Sequence, residues 1–247
     1  CNNRNGLYPR MQSAYRPNHS TETALLRVHN DISLALDNNN DVILVLLDLS
    51  SHEAWLITDT SKETPGPFCI YGTVLDWLKS YLSDAVAVKI GDETSEPIRL
   101  ARGVPQGPVL GPSLFSLYVA HIEDIIKSYG LNFAVYADDT QLYTLIDKSL
   151  LQSGISNLQK CIEAVLEWLA ENELDDATNK DGFHTVVLLI STTDLLSEIT
   201  IDKSNVVPAS LVRDLGVTLD CLLDMNAHVN QLCKIICISL PEKCWAR

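Results

Sequence analysis

The chain has 247 residues, of which 46% are hydrophobic and 20% are charged, so its composition is that of a globular protein with a buried core, not that of a disordered chain. Its formal net charge of −14 at pH 7 argues against a chain that grips nucleic acid tightly by itself, because phosphate binding requires a basic surface. The seven cysteines include no CxxC pair, which indicates neither a zinc site nor a disulfide framework, and the longest apolar run is too short to span a bilayer.

A capped helix and then a buried strand are predicted near the start of the chain. Ser20 or Thr21 can cap the helix, whose apolar residues recur at helical spacing. Its predicted buried face consists of Leu25, Val28, Ile32 and Ala35, with Ala24 and Leu36 at the margins. Six apolar residues then run from Asp41 to Asp48, which predicts a strand buried on both faces. Asp48 would lie at the C-terminal end of that strand, where α/β sheets usually place their chemistry.

A loop rich in glycine and proline occupies residues 102–112. Before it, residues 50–67 show no period and are predicted to be loop, residues 74–82 have helical spacing, and residues 86–100 predict a hairpin. The loop contains three Gly and three Pro, too many for regular structure. Because Gly lets the backbone approach a ligand and Pro112 suits the first turn of a helix, the loop is a candidate phosphate or nucleotide cradle. A plain structural turn is the alternative.

Two adjacent carboxylates, Asp138 and Asp139, lie between two β-favouring runs within residues 132–146. This pattern predicts a hairpin that carries both negative charges at its tip. Like charges so close together cost stability unless something positive neutralises them. Mg²⁺ is a natural partner, since it binds through one or two carboxylates plus substrate phosphates. A solvated Asp-Asp turn without function remains the alternative at this point.

The remaining third of the chain predicts helices and short strands. Residues 158–169 have the clearest amphipathic helical pattern, and a terminal helix is predicted around residues 229–237, with Cys233 and Cys237 buried. Further strands are predicted at residues 185–190, 199–201 and 215–219. Because no internal repeat or linker interrupts these elements, we expect a single mixed α/β domain.

Six segments spread along the chain form an ordered set of motifs. They are Gln12-Ser-Ala-Tyr-Arg16 with His19-Ser-Thr-Glu-Thr-Ala-Leu25, Val45-Leu-Leu-Asp-Leu-Ser50, Leu75-Asp-Trp-Leu-Lys-Ser-Tyr-Leu82, Gly103-Val-Pro-Gln-Gly-Pro-Val-Leu-Gly-Pro112, Tyr136-Ala-Asp-Asp-Thr-Gln-Leu-Tyr143 and Val212-Arg-Asp-Leu-Gly-Val217. Their order and spacing resemble the palm of reverse transcriptases, most closely the polymerases of non-LTR (LINE-type, jockey-like) retrotransposons. The resemblance implies an α/β (α+β) fold, a palm with an antiparallel sheet and packed helices, with partial fingers and no thumb.

The resemblance also implies an activity, RNA-directed DNA synthesis. A primer 3′-OH would attack the α-phosphate of a dNTP on an RNA template, with two Mg²⁺ (or Mn²⁺) ions roughly 3.5–4 Å apart. Asp48, Asp138 and Asp139 match the catalytic metal ligands of the family. The other matching positions are Gly103, Gln106 and Gly107 in the loop that positions template and nucleotide, Arg16 as a phosphate contact from the fingers, and Leu215 and Gly216 in the hairpin that supports the primer. The expected partners are the RNA template, the DNA primer and dNTP, and no membrane.

The chain departs from the family's pattern in two places. Glu53 and Ala54 stand where an aromatic residue and a second Asp usually follow the strand of Asp48, and a carboxylate there should repel a triphosphate. His184 precedes Thr185 where the family usually carries a Lys that serves as general acid, although His can also donate a proton near neutral pH. These departures and the acidic charge leave open a second hypothesis, a decayed or repurposed fragment that is catalytically inactive and acts at most as a binding module.

Three parts of the chain are expected from the resemblance. They are a partial fingers segment in residues 1–40, the palm in residues 41–220, and a C-terminal helix with a degenerate tail in residues 221–247. The thumb and the endonuclease domain of the family are expected to be absent from this chain, and much of the basic surface that binds nucleic acid with them.

Overall fold

The structure is a computed structural model that describes the backbone of residues 10–48, 72–83, 85–96, 98–99, 110–118, 120–171, 184–190, 198–201 and 204–239. Predictions for most of the segments at 50–67 and 172–184, for residues 102–109 and for the tail after residue 239 therefore lie outside the described residues.

The described chain combines helices with antiparallel strands. The helices are α1 (Thr21–Asp37), α2 (Thr73–Ser83), α3 (Gly111–Tyr118), α4 (Ala120–Ser128), α5 (Leu151–Glu171) and α6 (Asn226–Ser239). The strands are β1 (Asp41–Asp48), β2 (Ala85–Val86), β3 (Lys89–Ile90), β4 (Glu93–Thr94), β5 (Ile98–Arg99), β6 (Asn132–Tyr136), β7 (Asp139–Ile146), β8 (His184–Ile190), β9 (Ile199–Ile201), β10 (Ser204–Val206), β11 (Leu211–Asp214) and β12 (Val217–Asp220). The predicted α/β fold with an antiparallel sheet and packed helices is confirmed.

The centre of the fold is a four-stranded antiparallel sheet in the order β6-β7-β1-β8. Strand β1 pairs with β7 on one side and with β8 on the other, so its backbone N–H and C=O groups are hydrogen-bonded on both sides. Its residues Val42, Ile43, Leu44 and Val45 are all fully buried. The predicted strand buried on both faces is therefore confirmed, and its residue types suit it because β-branched and apolar side chains pack well on a pleated surface.

Side chains alternate along β1 between two hydrophobic clusters, one on each face of the sheet. On one face, Ile43 and Val45 pack with buried residues of α4 and α5, such as Ile126 and Leu158. On the other face, the even-numbered apolar residues of β1 pack against α1 and the β11–β12 hairpin. The main sheet is thus covered on both faces, which leaves its strand ends as the places where polar side chains can gather.

The first helix begins where the sequence predicts. Ser20 is the N-cap: its hydroxyl accepts from the Thr23 N–H at 3.3 Å, while the Thr23 hydroxyl accepts from the Ser20 N–H at 2.8 Å. The two bonds satisfy backbone donors that the helix start would otherwise leave unpaired. The buried face is rotated from the prediction, because Ala24, Val28, Ile32 and Ala35 are buried and Leu25 is only half-buried.

Two other predictions from the sequence are wrong in detail. Residues 215–219 do not form one strand, because Leu215 and Gly216 make the turn between β11 and β12. Cys233 is exposed on α6 instead of buried, together with Val229, Leu232 and Ile236. Apolar spacing on a helix does not by itself show that the face is covered. Within the described ranges, no helix has the length and apolar character needed to cross a membrane.

Candidate functional site

The two adjacent carboxylates lie on a two-residue hairpin turn between β6 and β7. Tyr136 pairs with Asp139, so Ala137 and Asp138 form the turn. Ala137 has a positive φ of 57°, as the first central residue of a type II′ turn requires, although Gly usually takes that place. Asp138 is half-buried at the turn and Asp139 is exposed as the first residue of β7. The predicted hairpin is confirmed.

The register of β1 brings the third predicted carboxylate to the same place. Asp48 pairs with Asp139 across the β1–β7 ladder and with His184 across the β1–β8 ladder. Residues directly opposite in an antiparallel pair have Cα atoms about 4.5–5.5 Å apart. The backbone therefore sets Asp48, Asp139 and His184 in one row across three strands, with Asp138 one residue away in the turn.

A fourth acid, Asp214 on β11, lies close to this row. The Gln141 side chain donates from Nε2 to Asp214 Oδ1 at 2.9 Å, and both residues are buried. Burial raises the pKa of the Asp214 carboxyl to about 6, the Gln141 hydrogen bond lowers it in part, and the charge of Asp139 raises it further. Gln141 Oε1 and Asp214 Oδ2 have no hydrogen-bond partner among the described residues. Buried acceptors of this kind favour a proton donor or a cation nearby.

A cavity of about 170 Å³ opens beside these groups. Its lining consists of Leu46, Leu47, Asp139, Thr140, Gln141, Val186, Arg213 and Asp214. A larger recess of about 550 Å³ lies at the other end of β7, near Ile146 and Asp147, away from the paired aspartates. The smaller cavity is the one that combines the strand-end acids with an exposed cationic side chain, Arg213.

The hairpin at Leu215 and Gly216 is formed as a tight turn beside the same cavity. Leu215 has φ 44° and Gly216 has φ 88°, and positive values at both central residues are typical of a type I′ turn. Leu in this conformation costs about 1–2 kcal/mol, since its Cβ crowds the following carbonyl. Both turns that flank the acids therefore hold a residue other than Gly at positive φ.

The structure gives Arg16 a local partner. Its Nη1 donates to the carbonyl oxygens of Arg10 at 3.2 Å and Gln12 at 3.0 Å, so the guanidinium ties together the loop before α1. Its predicted contact with a phosphate stays a prediction. Gly103, Gln106 and Gly107 lie outside the described residues, and their predicted roles also stay predictions.

The strand-end acids suit a divalent cation by their chemistry, because carboxylate oxygens are the ligands that Mg²⁺ and Mn²⁺ prefer. Among the side chains that the structure describes, no group of three or more His, Cys, Asp or Glu is arranged to hold a metal. The Asp48 side chain is outside that described part, and its backbone register is what places it with the hairpin acids. The buried oxygens Gln141 Oε1 and Asp214 Oδ2, which have no hydrogen-bond partner among the described residues, make the electrostatic potential beside Asp139 more negative.

Sequence patterns missed two residues of this site, Gln12 and Asp214. The Gln12 side chain contacts Ala137, 125 positions later, and Asp214 contacts Gln141 from 73 positions away. No local periodicity could reveal such pairs. Both residues do lie inside segments that resemble the motif set, which was the available signal.

Comparisons with known proteins agree with one another. The sequence model of the family described as "Reverse transcriptase (RNA-dependent DNA polymerase)" matches residues 5–219. The chain is 28% identical over 237 residues to the probable RNA-directed DNA polymerase from transposon BS of Drosophila melanogaster, which covers 90% of this chain and 25% of that protein. It is 25% identical over 256 residues to the RNA-directed DNA polymerase from mobile element jockey of the same fly, covering 99% of this chain and 27% of that protein. The chain thus spans about a quarter of the length of these relatives.

Among solved structures, the chain is similar to apo telomerase from Candida tropicalis truncated from its C-terminal domain. The TM-score is 0.47 at 13% identity, and the match covers 87% of this chain and 40% of that chain.

Proposed function

The chain belongs to the reverse transcriptase (RNA-dependent DNA polymerase) family, with non-LTR retrotransposon polymerases among its relatives, and from that membership we propose that it extends a DNA primer on an RNA template. The observation that carries the proposal is the register of Asp48 opposite Asp139, one residue from the turn that holds Asp138. The backbone brings together three aspartates, one each from β1, β7 and the turn that precedes β7, and the transfer of a nucleotidyl group needs charge of that sign and density to hold divalent cations.

The three acids of the proposed site would share the binding of the metal ions. Asp48, Asp138 and Asp139 would hold two Mg²⁺ or Mn²⁺ ions, and Asp48 and Asp138 would be the principal ligands. Bound there, the ions would lower the pKa of the primer 3′-OH and neutralise charge on the phosphates. The chain itself supplies the fixed positions, since the paired strands keep the acids in place before substrate arrives and therefore reduce the entropy lost in the reaction.

The remaining predicted residues would bind the substrates. Gly103, Gln106 and Gly107 would position the template and the incoming dNTP, and the turn at Leu215 and Gly216 would support the primer end. Arg16 would contact a phosphate only if its guanidinium uses donors other than Nη1, because that nitrogen already donates to two carbonyl groups.

A second candidate is a family member that has lost the reaction and acts as a binding module. The observations that favour it are the acid Glu53 in place of an aromatic residue, His184 in place of a Lys, and the net charge of −14. His184 lies opposite Asp48, so a basic residue would in fact stand next to the acids. Protonated, His184 could donate a proton to the pyrophosphate leaving group in place of the Lys.

The test is primer extension with purified full chain, an RNA template annealed to a DNA primer, dNTPs, and Mg²⁺ or Mn²⁺. Asp138→Asn and Asp139→Asn keep side-chain size and remove charge. Metal ions contribute several kcal/mol to such reactions, and each 1.4 kcal/mol is a factor of ten, so we expect each variant to lose about a thousandfold or more in rate.

Asp92→Asn is the matched control, because Asp92 is the exposed second residue of another two-residue hairpin turn, between β3 and β4. It should extend the primer at the wild-type rate. Activity that survives both Asp138→Asn and Asp139→Asn would overturn the assignment of the site. A folded wild-type chain that binds Mn²⁺ weakly and extends no primer would favour the binding-module candidate.

A further inference from the structure

The segment before α1 lies along the outer edge of the main sheet, next to β6. Gln12 forms a parallel bridge with Val135, where the Ser13 N–H donates to the Val135 carbonyl at 2.8 Å and the Val135 N–H donates to the Met11 carbonyl at 3.2 Å. The segment is therefore fixed in register beside the strand that leads into the acidic turn. Gln12 itself is only 1% exposed.

The amide of Gln12 binds both backbone polar groups of Ala137. The Ala137 N–H donates to Gln12 Oε1 at 2.8 Å, and Gln12 Nε2 donates to the Ala137 carbonyl at 3.1 Å. The Ala14 N–H also donates to Gln12 Oε1, at 3.0 Å. Two N–H donors face Oε1 and one carbonyl faces Nε2, so these partners determine which end of the Gln12 amide is the oxygen and which is the nitrogen.

Ala137 is the residue of the turn that most needs such a partner. Its φ of 57° is unfavourable for any residue with a Cβ. If the turn relaxed, the next residue along, Asp138, would change direction and Asp139 would shift against Asp48. The Arg16 guanidinium also donates to the Gln12 carbonyl at 3.0 Å. The backbone of Gln12 is therefore fixed by a hydrogen bond of its own.

We propose that Gln12 is a positioning residue, whose side-chain amide locks the strained turn at Ala137 and so sets the position of Asp138 and Asp139. That Asp138 and Asp139 take part in a reaction rests on the proposed function. That Gln12 holds the turn at Ala137 does not depend on it. The hydrogen bonds of the Gln12 side chain go to the backbone of Ala137 and Ala14, so Gln12 would act on the two acids through the backbone of the turn.

Gln12→Met is the informative variant, since Met has nearly the shape of Gln and removes both hydrogen bonds to Ala137. Gln159→Met is the matched control, because Gln159 Nε2 also donates to a distant backbone carbonyl, that of Thr200 at 2.8 Å, away from the acids. The full-length chain is used throughout. The readouts are amide hydrogen exchange at Ala137 by NMR, Mn²⁺ affinity by electron paramagnetic resonance, and kcat and KM for dNTP in primer extension.

In Gln12→Met we expect at least tenfold faster exchange at Ala137, at least fivefold weaker Mn²⁺ binding, and at least a tenfold lower kcat with KM for dNTP changed less than threefold. Gln159→Met should leave all of these at wild-type values. Unchanged exchange at Ala137 in Gln12→Met would overturn the proposal. Faster exchange with wild-type Mn²⁺ affinity and kcat would overturn its positioning part. If the wild-type chain extends no primer, the proposed function fails. The role of Gln12 is then still decided by two measurements, amide hydrogen exchange at Ala137 and Mn²⁺ affinity.

Discussion

Replacing Asp214 by Asn should stabilise the protein at neutral pH. The carboxyl is only 4% exposed, and its burial raises the pKa to about 6 from the ordinary value of 3.8. Above pH 6 the folded state must hold this group ionised in a place that disfavours the charge. A shift of about two pKa units corresponds to about 3 kcal/mol at 1.4 kcal/mol per unit, and this sets the upper limit of the gain.

The sign of the pH dependence follows from proton binding. Between about pH 4 and pH 6 the folded state binds more protons at Asp214 than the unfolded state does, so the free energy of unfolding of the wild type falls as pH rises. Asp214→Asn lacks that titration. Its carbonyl can still accept from Gln141 Nε2, and its amide N–H can supply a donor next to the unpartnered Gln141 Oε1. The advantage of the variant should therefore be largest above pH 6 and should disappear near pH 4.

The assay is urea unfolding of both proteins from pH 4 to pH 8, with EDTA present to keep divalent cations away from Asp139. Asp92→Asn is the control for net charge, because Asp92 is exposed and its loss relieves the same overall repulsion without any burial. We expect a gain of 1–3 kcal/mol, a rough figure from the pKa shift, for Asp214→Asn at pH 7.5 and little for Asp92→Asn. No gain at pH 7.5, or an equal gain at pH 4, would refute this account of Asp214.

Two further predictions concern parts of the chain away from the acids. Ser20→Ala removes the N-cap of α1 and its bond from the Thr23 N–H, and should cost about 1 kcal/mol in urea unfolding. An unchanged midpoint of urea unfolding would mean that the cap is not needed. Cys161 is buried and burial raises its pKa to about 12, so a thiol reagent at pH 8 should label exposed Cys233 in the native protein and Cys161 only in urea. Peptide mass spectrometry reads both sites, and native labelling of Cys161 as fast as that of Cys233 would contradict its burial.

Local pattern was enough to predict the strand that ends in Asp48 and the hairpin that carries Asp138 and Asp139. The apolar run between Asp41 and Asp48 predicted a doubly buried strand, and two β-favouring runs around Asp138 predicted a hairpin, because both signals lie within a few adjacent residues. The family is also confirmed, since motif order along the chain is itself a sequence property. The metal-binding roles of the acids stay predictions.

Local sequence patterns do not show which residues face each other when they are far apart along the chain. The pairing of Asp48 with Asp139 depends on strand register, and periodicity shows where a strand ends but not what it pairs with. For the same reason, periodicity could not reveal the hydrogen bonds between the Gln12 side chain and the Ala137 backbone. On α6 the pattern was helical as predicted, yet Val229 is exposed, because amphipathic spacing shows that a face is apolar and not what covers it.

The central place of β1 makes the sheet depend on chain that is synthesised much later. Both neighbours of β1 come after residue 138 in the sequence, and long-range antiparallel pairing of this kind forms slowly because a large loop must close first. On the ribosome, Val42, Ile43, Leu44 and Val45 would have no strand to pair with until β7 and then β8 have emerged. A truncated product that ends before His184 would keep one side of β1 as an unpaired, strongly apolar edge, which is the kind of strand that recruits other chains into aggregates.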